Sequence, residues 1–255
     1  LLIAFVGSAF AGAINTLAGN GSAITLTLLT ELLGLPGNMA NGTNRVGIFT
    51  QSAAGAYAFY RNGKLQVARS RRYIVLTSLG AVAGIVVATR VSNEQFMGVF
   101  RFLLLFMLVV ILVKPGRWLR ETEVNYSANP WLMAPLFLAI GFYGGFIQMG
   151  MGVFFLAAMV LGARYGLIEA NAVKIVVVGL YTLLAIGLFA YQGLIDWRIG
   201  LLFAAGQTTG GYLTAHYASR YPQANRWAYY VLVAVVLLAI VGLFDLPQRI
   251  AAWWG

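Results

Sequence analysis

The chain has 255 residues, of which 60% are hydrophobic and only 9% are charged, and its mean hydropathy is +0.81. Soluble domains carry about 25% charged residues, so this chain has too few charges to cover a surface that faces water. The composition excludes a soluble enzyme, a disordered protein and a nucleic-acid-binding domain, and it predicts an all-α polytopic membrane protein. The net charge of +10 is then attributed to basic cytoplasmic loops. The absence of Cys excludes disulfides, and a single His argues against a His-based metal site.

Apolar runs follow one another along the chain, and they cover residues 1–18, 22–35, 40–60, 72–91, 95–113, 131–149, 152–164, 169–190, 199–218 and 227–245. A spanning helix needs about 20 residues. The runs 22–35 and 152–164 are shorter, and each follows a glycine-rich break, at residues 19–22 and 150–152. A short apolar run behind such a break is typical of one arm of a re-entrant or broken helical hairpin.

The second half of the chain repeats the first at a nearly constant offset. Gly19 and Gly21 recur as Gly150 and Gly152, 131 positions later. The series continues with Ala40 and Asn41 (Ala170, Asn171), Phe59 and Gly63 (Phe189, Gly193), and Gly80 and Gly84 (Gly206, Gly210). Such an ordered series predicts an internal duplication. Repeat 1 covers 1–113, a cytoplasmic linker covers 114–130 and repeat 2 covers 131–255, and each repeat is a broken hairpin followed by three transmembrane helices.

The distribution of charge indicates that the two repeats are inverted. Segment 61–72 carries five Arg or Lys residues, whereas its counterpart 191–198 carries one acid and one base. Segment 90–94 is balanced, whereas its counterpart 219–226 carries two Arg residues. The positive-inside rule makes the basic segments cytoplasmic, and three crossings per repeat then place the copies upside down. Inverted repeats with broken helices are typical of transporters, whose site lies at the repeat interface near the midplane.

The two breaks are predicted to bind an anion. Unpaired N–H groups at a helix N-terminus attract anions, and glycine lets the backbone approach a ligand closely. The residues expected to supply these donors are Gly19, Asn20, Gly21, Ser22, Gly150, Met151 and Gly152. An alternative stays open, in which the glycines only permit tight bends or close helix packing.

Polar side chains beside the breaks add donors and positive charge to the predicted site. They are Asn15, Thr16, Asn41, Thr43, Asn44, Arg45, Gln148, Asn171 and Lys174. Because an Arg or Lys at the centre of a membrane helix costs about 2.5–3.5 kcal/mol, cations at the similar places 45 and 174 indicate a function. The alternative is that each lies near a helix end and extends to the headgroups.

Other polar residues within the apolar runs receive no binding role. Gln51, Gln207, Thr208 and Thr209 either line a path or hydrogen-bond neighbouring helices, and the second interpretation is favoured. Glu31 and His216 are interpreted as interfacial residues whose roles stay open. The sequence contains no Ser/His/Asp set, zinc-protease motif or phosphate-binding loop. It therefore predicts no enzyme, no cofactor and no metal site.

Two long stretches carry a family resemblance. Residues 12–44 read GAINTLAGNGSAITLTLLTELLGLPGNMANGTN, and residues 141–174 read GFYGGFIQMGMGVFFLAAMVLGARYGLIEANAVK. Together with AYQGLIDWRIGLLFAAGQTTGGYLTAHYAS at 190–219, they resemble the sulfite exporter TauE/SafE family, also called the 4-toluene sulfonate uptake permease family. The resemblance implies a multi-pass protein of the bacterial inner membrane that moves anions such as sulfite, sulfoacetate and aryl sulfonates. Asn20 interrupts a glycine run that many relatives have at the first break, so the substrate stays open.

The patterns and the resemblance together predict a secondary transporter or permease for a small anion, such as sulfite, a sulfonate or a carboxylate, that works by alternating access. The expected partners are this substrate and membrane lipid, with no nucleic acid. A coupling ion (H⁺ or Na⁺), a homo-oligomer and the direction of transport are left open. The alternatives are a passive anion channel and an intramembrane enzyme that would use Glu31.

Overall fold

The computed structural model describes residues 2–19, 21–88, 130–146, 148, 150–221 and 223–243. These residues form helices and connecting turns, and no strand occurs among them. The all-helical class predicted from composition is confirmed for this part of the chain. The predicted span 95–113, nearly all of the linker 114–130, and Asn20 lie outside the described residues.

The described helices fall into two series, one on each side of the gap at 89–129. The first series is α1 (Leu2–Ala18), α2 (Gly21–Thr27), a π-helical turn (Leu28–Leu32), α3 (Gly37–Arg61) and α4 (Val67–Ala88). The second is α5 (Pro130–Phe146), α6 (Met151–Ala157), a π-helical turn (Ala158–Gly162), α7 (Leu167–Tyr191), α8 (Trp197–Ala218) and α9 (Ala224–Leu243).

Each of the two short apolar runs forms a short helix that returns along the helix before it. Gly21 lies against Ala11 and Gly7 lies against Leu28, so α2 and its π turn run back beside α1. In the second series Gly144 lies against Met151, and α6 likewise runs back beside α5. The chain reverses at Gly19 and Gly150, whose φ angles of 75° and 80° are in the left-handed region that favours glycine.

The two series match in length and in local hydrogen bonding. The first five elements of each contain 17, 7, 5, 25 and 22 residues in that order. The turn after α3 has the hydrogen bond from Lys64 N to the carbonyl of Phe59, and the turn after α7 has the same bond from Leu194 to Phe189. These correspondences, again 130 positions apart, support the predicted duplication.

The directions of the helices support the inverted form of that duplication. Ser52 lies against Gly179, and Gly55 lies against Ile175 further back along α7, so α3 and α7 are antiparallel. Helices α1 and α8 are parallel, as are α4 and α5, and each pair joins one series to the other. Equivalent helices of the two series therefore point in opposite directions.

Glycines permit the close approach of α4 and α5. A β-carbon built on Gly80 would lie 2.1 Å from the carbonyl oxygen of Leu138, and one on Gly145 would lie 1.9 Å from that of Ala81. In lipid the hydrophobic effect does not drive helices together, so membrane helices associate through close van der Waals contact. Small residues spaced four apart permit this contact. The glycine matches found in the sequence thus have a packing role here.

The outer surface is apolar, as expected for contact with lipid. Val67–Val87 and Leu167–Tyr191 are long and apolar enough to cross a membrane. Large side chains such as Leu79, Leu184 and Leu201 are more than half exposed on the helices of both series. Helix α4 begins at Val67, so part of the basic segment predicted as a loop forms its first turns. Long cationic side chains can extend from there to the headgroups.

Candidate functional site

The two glycine breaks meet each other inside the molecule. A β-carbon built on Gly19 would lie 2.6 Å from the α-carbon of Gly152, and one built on Gly152 would lie 2.6 Å from that of Gly19. The backbones therefore touch with no side chain between them. The structure brings the two predicted donor segments to one place, which we call the junction (Gly19 and Gly152).

A small polar pocket lies at the junction. Its lining combines both breaks with the middle of α3 and residues 174–181 of α7. The lining residues are Asn15, Gly19, Ser22, Ser52, Gln148, Met151, Gly152, Lys174, Ile175, Val178 and Tyr181. The cavity volume is about 10 Å³, which is room for about one water molecule.

Lys174 is the cation of this pocket, and all three of its N–H bonds have acceptors. Its Nζ donates to the carbonyl oxygens of Asn15 (2.9 Å) and Thr16 (3.0 Å) and to Oδ1 of Asn171 (2.6 Å). An ammonium has three donors, so this set is complete. The two carbonyls belong to the last turn of α1, where the helix dipole favours a positive charge. Hydrogen bonds from Lys174 therefore link the C-terminal end of α1 to α7.

A second side chain holds the same end of α1 from α3. Gln51 donates from Nε2 to Oγ1 of Thr16 at 3.2 Å and accepts from Nδ2 of Asn15 at 3.4 Å. Sequence reasoning placed Gln51 outside the site as a residue that bonds a neighbouring helix. The structure shows this hydrogen bond to α1, and it also shows that the end of α1 lines the pocket.

Several polar atoms of the pocket have no hydrogen-bond partner among the described residues. They are the hydroxyl oxygens of Ser52 and Tyr181 and Oε1 of Gln148. Buried polar groups are rarely left unpaired in folded proteins, so each such group calls for an explanation. Three of them around one pocket that also holds a cation are typical of a place where a polar ligand binds.

Comparison with known proteins assigns this architecture to a family. The family model described as "Sulfite exporter TauE/SafE" matches residues 4–242. The chain belongs to the TauE/SafE family. This membership confirms the resemblance read from the sequence and makes the chain one of a family of membrane transport proteins.

Curated relatives of this TauE/SafE protein share most of its length. "Probable membrane transporter protein ORF9" from Sinorhizobium sp. is 28% identical over 100% of this chain and 97% of its own. A "Probable membrane transporter protein" from Haemophilus influenzae is 27% identical over 84% of both chains, and one from Xylella fastidiosa (strain 9a5c) is 25% identical over 89% and 90%. No solved structure matches the chain significantly.

Three predicted site residues of the TauE/SafE chain lie away from the pocket, near the start of α3. Thr43 accepts a hydrogen bond from the backbone N–H of Asp196 at 2.9 Å. Asn44 accepts one from Nε2 of Gln207 at 3.0 Å. Arg45 is 3% exposed, and its guanidinium lies over the ring of Phe189 at 5.8 Å.

The remaining predicted residues take supporting positions. Thr16 and Asn171 do not line the pocket and instead accept hydrogen bonds from Lys174. Gly21 packs on α1, and Gly150 forms the left-handed turn before α6. Asn41 is half-buried on α3 outside the lining.

Sequence reasoning missed Ser52 and Tyr181 of the lining. The signal for Tyr181 was its spacing, because residues 171, 174, 178 and 181 fall on one face of a helix. A serine or tyrosine within an apolar helix is common, so composition gave no reason to select either residue.

Other polar features of the TauE/SafE chain lie elsewhere. The ring of His216 is stacked on Tyr212 near the end of α8, away from the pocket lining. No group of three His, Cys, Asp or Glu residues that could hold a metal occurs in the described part. A larger groove of about 700 Å³ between α1, α8 and α9 is lined by apolar, aromatic and uncharged polar residues, and it contains no cation to attract an anion.

Proposed function

We propose that this TauE/SafE protein is a secondary transporter for a small anion, and that the junction pocket is where the anion binds. The class favoured by the family's name is a sulfur oxyanion or sulfonate, with sulfite first and small carboxylates as further candidates. The proposal includes a multi-pass arrangement in the bacterial inner membrane, two inverted repeats over 1–113 and 131–255, and transport by alternating access.

The observation that carries the proposal is a buried cation without an anionic partner. Lys174 is 2% exposed, and no carboxylate of the described residues lies within ion-pair distance of it. A charge inside a membrane protein is costly unless it is paired or used. Its three acceptors are uncharged, so no negatively charged side chain among the described residues pairs with it.

The other groups of the pocket suit a small oxyanion. Ser22 and Ser52 each carry a hydroxyl that can donate, and Gln148 and Asn15 carry side-chain amides. The unpaired hydroxyls of Ser52 and Tyr181 would gain acceptors when an oxyanion entered. A ligand with several oxygens and a single negative charge therefore fits the donors better than a neutral or cationic solute does.

The small volume of the pocket is consistent with a transporter whose site changes shape during transport. A cavity of about 10 Å³ has room for about one water molecule, so binding of an oxyanion would require the pocket to widen. Broken hairpins that touch at the junction can move against the longer helices to open the pocket first to one side and then to the other.

Uptake into proteoliposomes tests the proposal. Purified protein is to be tested with sulfite, sulfoacetate, toluenesulfonate and acetate, with and without a gradient of H⁺ or Na⁺. We expect at least one anion to accumulate against its own gradient when one cation gradient is imposed. Equilibration without accumulation would identify a channel, and no movement of any of these anions would refute the proposal.

The residue assignment is tested by removing one charge at a time. Lys174→Gln is expected to reduce uptake at least tenfold. Arg198→Gln is the matched control, because it removes the same charge from an exposed residue on the first turn of α8. Equal uptake by the two variants would remove the role given to Lys174.

A further inference from the structure

We propose that Arg45 forms a second anion-binding station, separate from the junction pocket and placed toward the opposite end of the α3–α7 interface. The inference rests on the proposed function and adds a second binding step to it. The anion would occupy the junction pocket near Lys174 at one stage and the Arg45 station at another.

The register of α3 against α7 separates the two cations. Lys174 lies near the end of α7 where Lys64 and Glu169 form an ion pair at 3.7 Å. The guanidinium of Arg45 lies over Phe189, which is 15 residues further along the same helix. The two cations therefore lie at different levels of the α3–α7 interface, and the junction pocket is lined by Lys174 and not by Arg45.

The two cations also differ in how their donors are used. Lys174 has an acceptor for each of its three N–H bonds, whereas Nε and Nη1 of Arg45 are buried and find no acceptor among the described residues. The ring of Phe189 offers an attraction to the guanidinium but no lone pair for these N–H groups. Two buried guanidinium nitrogens without an acceptor among the described residues are therefore available to donate to an anion.

The chemistry of Arg45 selects the same class of ligand as the junction. A guanidinium is planar, keeps its charge and matches the oxygens of sulfite, sulfonate or carboxylate groups. The nearby carboxylate, Asp196, is used otherwise, because its Oδ1 accepts from the backbone N–H groups of Arg198 and Ile199 and caps α8. The described residues provide no ion-pair partner for Arg45.

Polar atoms without partners mark the interface between the two cations. Ser52 faces Gly179, and the buried hydroxyls of Ser52, Tyr181 and Thr182 have no hydrogen-bond partner in the part of the chain that the structure describes. Gly179, Tyr181 and Thr182 lie between Lys174 and Phe189 along α7. Tyr181 lines the junction pocket and is also within electrostatic range of Arg45. An anion that leaves the junction toward Arg45 would thus meet hydroxyl donors on its way.

The guanidinium signal of Arg45 gives a direct test. The full-length protein, labelled with ¹⁵N at arginine and held in detergent, is to be titrated with sulfite, or with whichever anion of the panel the wild type accumulates best. The Nε–H resonance of Arg45 is assigned by its loss in Arg45→Lys. We expect this resonance to move on titration in the wild type, and to move also in Lys174→Gln, because the stations are separate.

Transport measurements complete the test. Arg45→Gln is expected to reduce uptake at least tenfold. Arg45→Lys should recover part of the uptake because the charge is kept, and Arg198→Gln should behave as the wild type.

An Nε–H resonance that stays in place at saturating anion, while the wild type transports that anion, would overturn the second station and leave the proposed function intact. A shift that disappears in Lys174→Gln would also overturn it, since the two cations would then share one site. If the wild type moves none of the anions, the proposed function itself fails.

Discussion

The two glycine breaks have the same backbone arrangement and differ in the side chains that hold them. The end of α1 is fastened by Lys174 from α7 and by Gln51 from α3. At the second break Gln148 carries an unpaired oxygen, and Asn44, which stands 130 positions before Lys174, bonds Gln207 of α8 instead of α5. The difference teaches that a symmetric scaffold can carry an asymmetric site. Among the described residues, side chains hold the first break by hydrogen bonds, whereas the second carries an acceptor, Oε1 of Gln148, without a partner.

The largest effect is expected from placing a side chain where the breaks touch. In Gly19→Ala and Gly152→Ala the new β-carbon would lie 2.6 Å from the opposite α-carbon, so the hairpins must separate. Overpacking of this kind costs about 1–3 kcal/mol. Gly19→Ala should lose about 1–2 kcal/mol more, because its φ of 75° disfavours any side chain. Thermal denaturation in detergent measures the loss of stability, and an uptake assay with sulfite measures the effect on transport.

Gly187→Ala is the matched control for these variants. Gly187 is a glycine of α7 with no atom within 4 Å of its built β-carbon. The substitution should keep uptake and leave stability unchanged or raise it by up to about 1 kcal/mol, through helix propensity. If Gly152→Ala were as stable and as active as Gly187→Ala, the contact at the junction would have no importance.

The next effect comes from removing the fastening of the first break. Lys174→Met leaves the carbonyl of Thr16 and Oδ1 of Asn171 without this donor, while it also removes a buried charge. The net loss of stability is expected to be about 1–2 kcal/mol. Hydrogen exchange should increase at the amides of the last turn of α1 and remain unchanged at the end of α5.

Asn44→Leu is the corresponding change in the other series. It breaks the bond to Gln207, so exchange should increase on α8 and not at the end of α5. A rise at the end of α5 would mean that the second break is fastened as the first is, and the asymmetry would then be lost.

Two glutamines at the pocket should separate stability from transport. Gln51→Leu removes one good hydrogen bond and one long one, so we expect a stability loss of about 1 kcal/mol. Gln148→Leu removes an oxygen that has no partner, so stability should change by less than about 0.5 kcal/mol while uptake falls several-fold. Denaturation midpoints and uptake rates measured on both variants check that Gln51→Leu mainly lowers stability and Gln148→Leu mainly lowers uptake. Equal behaviour of the two variants would contradict this prediction.

The smallest effect is expected at the end of the bundle. Lys64 and Glu169 pair at 3.7 Å with both side chains about 30% exposed, so Lys64→Ala should cost less than about 1 kcal/mol. Added salt should reduce the difference further, because exposed charges are screened. A larger or salt-independent loss would show that this pair fixes the register of α3 and α7.

The architecture could be predicted from the sequence because its causes are local. The short runs behind Gly19 and Gly150 indicated the hairpins, since an apolar run that cannot cross a membrane must turn back. The glycine spacing at Gly80 and Gly84 recurred at Gly206 and Gly210, and the structure uses both pairs for close helix contacts. These features depend on length and on the absence of a side chain, which a sequence displays directly.

The organisation of the site was beyond prediction because it depends on the register between helices. Arg45 and Lys174 occupy similar places in their own helices, and the sequence therefore suggested one shared site. Antiparallel packing of α3 and α7 instead places them at different levels of the interface, and only Lys174 lines the pocket. The acceptors of Lys174 are backbone carbonyls of α1, and no side-chain pattern could reveal that carbonyls would fill this role.

The contact between Gly19 and Gly152 also constrains the order of events in a transport cycle. Because backbone meets backbone, no side chain can change rotamer to absorb an approach of the two hairpins, so neither can advance toward the other unless the other moves away. In the proposed function, a rigid contact of this kind would couple the opening of the pocket on one side to its closing on the other. Coupling of the two movements would limit leakage of ions while the proposed transport cycle proceeds.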